Sequence, residues 1–184
     1  ETQRAMATMS NAASQSPGEP NRLDRLWAPW RLGYVVSESQ SPRPDCFICH
    51  GLSQQDDRAH LIALRTPLAV VVLNKFPYNN GHLLIAPRAH KARLDELTVD
   101  EILDVQQTLI RIIGICDELL RPDGYNIGVN LGRVAGAGLP GHLHWHLVPR
   151  WNGDTNFMPI LADTKVIVQS LESLYDALAE RLRP

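Results

Sequence analysis

The spacing of apolar positions changes along the chain, and each change predicts an element. Leu68–Leu73 is a continuous β-rich run, followed by Asn74-Lys75-Phe76-Pro77 and the turn signal Asn79-Asn80-Gly81. His82–Ala86 reads as the returning strand of an antiparallel pair, stopped by Pro87. From Thr98 the period lengthens to that of a helix. Thr98 and Glu101 form a capping box, and Ile102, Leu103, Leu109, Ile110, Ile113, Leu119 and Leu120 recur at roughly helical spacing. Pro122 and Asp123-Gly124 end that helix. Tyr125–Asn130 is a second β candidate, Gly132–Gly141 a loop dominated by Gly and Ala, and His142–Val148 a third β candidate. A last helix, about 163–182, is amphipathic through Val166, Val168, Leu171, Leu174, Leu178 and Leu182. The order predicts an α+β domain: a mainly antiparallel sheet with a long helix and a C-terminal helix. Residues 1–22 carry no apolar periodicity and are rich in Ser, Ala and Pro, so they read as a flexible arm before a single domain over 23–184.

Composition narrows the function classes. With 184 residues the chain suits one domain with a sizeable core. No apolar run approaches the ~20 residues that span a bilayer, so no membrane partner is expected. The net charge of −2 argues against binding a nucleic-acid polymer, although a small anion remains compatible with a locally positive pocket. Three cysteines in a chain this long do not make a disulfide framework, and no apolar signal segment is seen at the N-terminus. A cytoplasmic protein is the expectation.

The sharpest chemical signal is His142-Leu143-His144-Trp145-His146-Leu147-Val148. Side chains of a strand alternate between faces, which places His142, His144 and His146 together and Leu143, Trp145 and Leu147 opposite. The apolar face can pack under a helix while the imidazoles line a cleft. Alternating histidines also suit a metal site. The preceding Gly/Ala loop frees backbone N–H groups to approach a phosphate, or is a plain connector. Cys46-Phe47-Ile48-Cys49 is a C-x-x-C pair, open to reading as a redox dithiol, half of a zinc site or two buried thiols. A zinc site would have to recruit histidines, with His50, His60, His82, His90 and a triad member as candidates. Cys116, on the long apolar helix, reads as a core thiol.

Taken together, these residues resemble the histidine triad (HIT) superfamily. The His142–Val148 run looks like its H-φ-H-φ-H-φ-φ signature. Cys46–Cys49, Asn74–Pro77, Gly81–Pro87, Ala89-His90, Asn126–Gly132 and Val148-Pro149-Arg150 agree in order. Leu26–Arg31 and Arg150–Phe157 narrow the likeness to a bacterial diadenosine tetraphosphate phosphorylase branch. The resemblance implies a HIT-like fold and cleavage of a dinucleoside polyphosphate by inorganic phosphate, giving ADP and ATP. It makes His144 the nucleophile through a nucleotidyl-imidazole intermediate, with His146 on the phosphate. It implies a structural zinc on Cys46, Cys49, His90 and His142, ribose binding by Asn74, a base-stacking Phe47, and Asn130 near the α-phosphate. Gly138 and Leu139 stand where many relatives carry a polar pair with a hydroxyl, leaving backbone N–H groups to meet phosphate oxygens there. His146 leans towards a hydrolase of phosphoramidates or other nucleotide conjugates, the flanking Trp segments towards a phosphorylase. A zinc-stabilised nucleotide-binding module is the alternative of another class. HIT domains usually pair through the long helix and a neighbouring strand, so a homodimer is expected.

Overall fold

Ala69–Leu73 is buried at every position, as a strand must be when both faces of its sheet are covered. It is the second of five strands in a computed structural model that describes residues 46–155 and 166–182, all within one compact unit running from Pro42 to Pro184. The predicted arm 1–22, the Leu26–Arg31 motif, Asn156-Phe157 and residues 163–165 of the predicted last helix lie outside the described residues.

The strands are β1 (Ile62–Arg65), β2 (Ala69–Leu73), β3 (Leu83–Pro87), β4 (Gly124–Val129) and β5 (Trp145–Arg150). They pair antiparallel in the order β1-β2-β3-β5-β4. The helices are α1 (Phe47–Ser53), α2 (Val99–Leu120) and α3 (Leu171–Leu182). Alternation along the strands divides the interior into two layers. Val71, Leu73, Leu83, Ile85, Trp145 and Leu147 pack with Val105, Leu109, Ile112 and Cys116 of α2 and Leu174, Tyr175 and Leu178 of α3. On the opposite face Val70, Val72, Leu84 and Ala86 pack with Ile48 of α1 and Ile62.

The α+β expectation holds, with shifts that have physical causes. The capping box is formed: Thr98 Oγ1 accepts from the Glu101 N–H at 3.2 Å, and the Thr98 N–H donates to Glu101 Oε2 at 2.7 Å. The face of α2 that enters the core is Val105, Leu109, Ile112 and Cys116, whereas Ile102, Leu103 and Ile110 are exposed. That helix is apolar on more than one side, so periodicity alone mixed the two stripes. The predicted returning strand gains Pro87, which pairs with Ala69. The last helix starts later than expected. Ser170 Oγ accepts from the Ser173 N–H at 3.2 Å and so closes the first turn, leaving Val166 and Val168 exposed ahead of the helix. The strand expected at His142–Val148 is Trp145–Arg150. Before it, Leu143 donates its N–H to the Lys91 carbonyl at 2.7 Å, so the chain already follows a neighbour. Strand β1 and helix α1 had no counterpart in the hydrophobic pattern, being four and seven residues long.

Cys116 is fully buried, and burial pushes its thiol up to about 12, so it is a core thiol as expected. Leu147 is 0% exposed and lies between the paired strands and α2. Leu147→Ala is expected to lower unfolding free energy in urea by about 2–5 kcal/mol while the circular dichroism of the folded state is retained.

Candidate active site

The predicted division of the histidine segment is present. Leu143, Trp145 and Leu147 enter the main core, and the three imidazoles lie on the other side of the strand. His142 and His144 are buried and His146 is half-buried.

Hydrogen-bond partners assign the tautomers. His142 donates from Nε2 to the Pro87 carbonyl at 2.8 Å, which leaves Nδ1 as the lone-pair nitrogen. That Nδ1 lies 3.1 Å from Cys46 Sγ and 3.4 Å from Cys49 Sγ. His144 donates from Nδ1 to the His142 carbonyl at 2.8 Å, so its unprotonated nitrogen is Nε2. His82 accepts at Nδ1 from the Tyr78 N–H at 3.0 Å and donates from Nε2 to His146 Nδ1 at 2.9 Å. In neutral His146 the proton therefore sits on Nε2; Asn130 Nδ2, also a donor, lies 3.5 Å away and donates to the Gly136 carbonyl instead.

Burial keeps all three triad imidazoles neutral. It lowers the pKa of His142, with His90 and His144 adding to the effect and the Pro87 bond opposing it. It lowers His144 against its bond to the His142 carbonyl, and it brings His146 down to about 4, with the proximity of His144 further disfavouring a second proton in the pair. The His144 and His146 rings meet edge to face at 5.0 Å, and Tyr78 stacks on His146 at 5.6 Å between centroids. A neutral imidazole with a lone pair on Nε2, beside one presenting an Nε2–H, has the chemistry to attack an electrophile next to a hydrogen-bond donor.

The remaining predicted residues fall around this centre. The side-chain ligand atoms of Cys46, Cys49, His90 and His142 all lie within 4.8 Å of one another. Cys49 Sγ is 3.2 Å from His90 Nδ1. These separations approach the roughly 3.5 Å edge of a tetrahedron of zinc–sulfur and zinc–nitrogen bonds, so two thiols and two imidazole nitrogens fit a closed zinc site. His50 and His60 instead contact each other edge to face at 5.2 Å. Cys46 also caps α1, accepting from the Cys49 N–H at 3.4 Å. Phe47 is exposed on α1, and Leu139 packs against the apolar layer that α1 covers. Gly138 is an exposed residue of the loop before the triad. Asn74 accepts from the Phe76 N–H at 3.0 Å and places its amide nitrogen 3.1 Å from His82 Nδ1. Sequence reasoning weighed His82 only as a metal ligand and passed over Tyr78, although both follow the Asn74–Pro77 motif closely.

The HIT domain family model matches residues 56–153. The chain belongs to the HIT family. An AP-4-A phosphorylase of Mycobacterium tuberculosis (strain CDC 1551 / Oshkosh) is 36% identical over 167 residues, covering 88% of this chain and 86% of that protein. A bis(5'-nucleosyl)-tetraphosphatase [asymmetrical] of Schizosaccharomyces pombe is 31% identical over 90 residues, 49% of each chain. Among solved structures, a Zn-bound histidine triad family protein from Mycobacterium smegmatis matches with a TM-score of 0.57 at 26% identity, covering 74% of this chain and 95% of that one. A histidine triad nucleotide-binding protein from Sulfolobus tokodaii matches with a TM-score of 0.59 at 23% identity, covering 73% and 90%, and shares the fold.

The depressed pKa of His146 has a thermodynamic consequence in this HIT domain. An unfolded histidine takes up its proton near pH 6.5 and the folded one only near pH 4, so the folded state loses stability as pH falls through that window. The stability difference between wild type and His146→Gln, measured in urea at each pH, is expected to move against the wild type by on the order of 2 kcal/mol between those limits. A difference that does not change with pH would contradict the assignment.

Proposed function

We propose that this HIT protein is a dinucleoside polyphosphate phosphorylase, converting diadenosine tetraphosphate and inorganic phosphate to ADP and ATP. The observation that carries the chemistry is the bond from His144 Nδ1 to the His142 carbonyl, because it leaves Nε2 as a neutral nucleophile. The choice of reaction rests on the M. tuberculosis relative, which is similar over most of both chains.

His144 Nε2 attacks the α-phosphorus, the bond to the bridging oxygen breaks, and ATP departs with that oxygen. The adenylyl group remains on the imidazole. Inorganic phosphate then attacks the same phosphorus from the vacated side, the P–N bond breaks, and ADP leaves with His144 neutral again. His146 offers its Nε2–H to an α-phosphate oxygen, and the Asn130 amide lies beside it. Backbone N–H groups of Gly138 and Leu139 take the place of a hydroxyl-bearing pair. Asn74 holds the ribose and Phe47 stacks on the base in this reading. Cys46, Cys49, His90 and His142 would hold zinc, which supplies a structural cross-link between α1 and the triad segment. The thiolates that ligation requires stay reduced in a cytoplasmic setting. Among the described residues no helix is long and apolar enough to cross a membrane. Val99, Leu103 and Ile110 on α2 and Ile127 on β4 are exposed apolar side chains, which supports a homodimer through that helix and edge strand.

A hydrolase is the second reading, favoured by His146 and by the similarity to the S. pombe tetraphosphatase; water would resolve the intermediate and release AMP. Incubation with diadenosine tetraphosphate, with and without phosphate, separates the two by chromatography. ADP with ATP only when phosphate is present is the expected outcome, and AMP in both tubes would replace the phosphorylase reading. His144→Ala should lower turnover roughly 1000-fold or more with nucleotide binding retained. A variant that keeps its turnover would point to another nucleophile. Elemental analysis should give about one zinc per chain in the wild type and little in Cys49→Ser.

A further inference from the structure

The segment after the triad, Arg150–Asp154, is more than a strand end. Asp154 is 8% exposed at its side chain and collects four hydrogen-bond donors. Arg150 grips it from Nε at 2.5 Å and Nη2 at 2.9 Å, while Arg150 Nη1 donates to Asn126 Oδ1 on β4 at 2.6 Å. The Trp151 N–H donates to Asp154 Oδ2 at 3.2 Å. The fourth donor comes from a distant turn: Asn79 Nδ2 reaches Asp154 Oδ2 at 2.8 Å and the Pro149 carbonyl at 3.1 Å.

Asn79 begins the turn that delivers His82, and its carbonyl accepts the His82 N–H at 3.2 Å. The turn has little room to move. Asn79, Asn80 and Gly81 are buried. A Cβ on Gly81, where φ is +74°, would lie 2.6 Å from Leu120 Cδ1 and 3.0 Å from Pro149 Cγ. At the far end His82 Nε2 donates to His146 Nδ1.

We propose that Asp154 is a positioning residue for the reaction, holding His82 through Asn79 so that His146 presents its Nε2–H to substrate. Losing the carboxylate leaves Asn79 Nδ2 with the Pro149 carbonyl alone, the turn loses its shorter tether, and His82 no longer dictates which nitrogen of His146 carries the proton. Arg150 holds the Asp154 carboxyl down at about 2, so the clasp stays ionised wherever the enzyme works. The inference rests on the reading of His146 as a substrate-facing imidazole.

The test is Asp154→Ala in the full chain, with imidazole ¹⁵N spectra read beside kinetics and thermal unfolding. The wild type should show His82 and His146 as single Nε2–H tautomers. The variant should unfold cooperatively, show averaged His146 nitrogens, and lose roughly 10- to 100-fold in kcat with KM changed little. Should Asp154→Ala not fold, Asn79→Ala cuts the same link while leaving the Arg150–Asp154 pair intact, and the same signature is expected. Unchanged tautomers in a folded variant, or averaged ones in the wild type, overturn the proposal. So does a lower Tm with kcat intact. The spectra need no turnover, so a wild type inactive on dinucleoside polyphosphates defeats the proposed reaction and leaves the tautomer result readable.

Discussion

The carbonyl oxygen of His142 accepts the Nδ1 proton of His144 at 2.8 Å, and the chemistry of the site hangs on that contact. An imidazole attacks only through the nitrogen that lacks a proton, so fixing one proton fixes the nucleophilic atom. The carbonyl is itself held, because the residue that owns it is pinned on both sides of its ring. Nε2 of His142 bonds the last residue of β3, and Nδ1 faces the thiols of α1. One residue thus joins the sheet, the sulfur cluster and His144, the proposed nucleophile. Its burial and that of His144 keep both rings uncharged, since ionising either would need water that the packing excludes.

Much of this was legible in the sequence, for a simple reason. Alternation has period two, so His142, His144 and His146 had to share a face once the segment was extended, and Leu143, Trp145 and Leu147 had to seek a core. Thr98 and Glu101 announced α2 because capping is a local interaction between residues three apart. Other features are not local. Strand β1 has one fully buried residue and a charged end, and takes its shape from pairing with β2. Helix α1 is too short for periodicity and is organised by Cys46 at its start and Ile48 beneath it. Spacing treats His50, His60 and His90 alike as ligands beside the sulfurs, so only the family resemblance singled out His90, whose Nδ1 the fold brings to 3.2 Å from Cys49 Sγ. The part played by His82 was hidden for a related reason: the contact with His146 joins residues 64 apart.

The two faces of the sheet do different work. The face under α2 and α3 carries the large apolar cluster and fixes the strand register. The face that bears the imidazoles is covered in part by α1 and a smaller cluster. The HIT domain model spans residues 56–153, so both cysteines precede it, whereas the similarity to the M. tuberculosis relative extends over 88% of this chain.

Helix α1 is held by contacts outside the larger apolar cluster. Seven residues cannot sustain a helix in water, so α1 persists through Ile48, the sulfur–imidazole cluster and the guanidinium of Arg65, which donates to the Gly51, Leu52 and Gln54 carbonyls at its end. None of these belongs to the main core. The contacts that hold α1 are thus few and separable from those that hold the sheet under α2 and α3. Phe47 is the first residue of that helix. The position of the exposed Phe47 ring is therefore set by the sulfur–imidazole cluster at Cys46 and Cys49 and not by the main core.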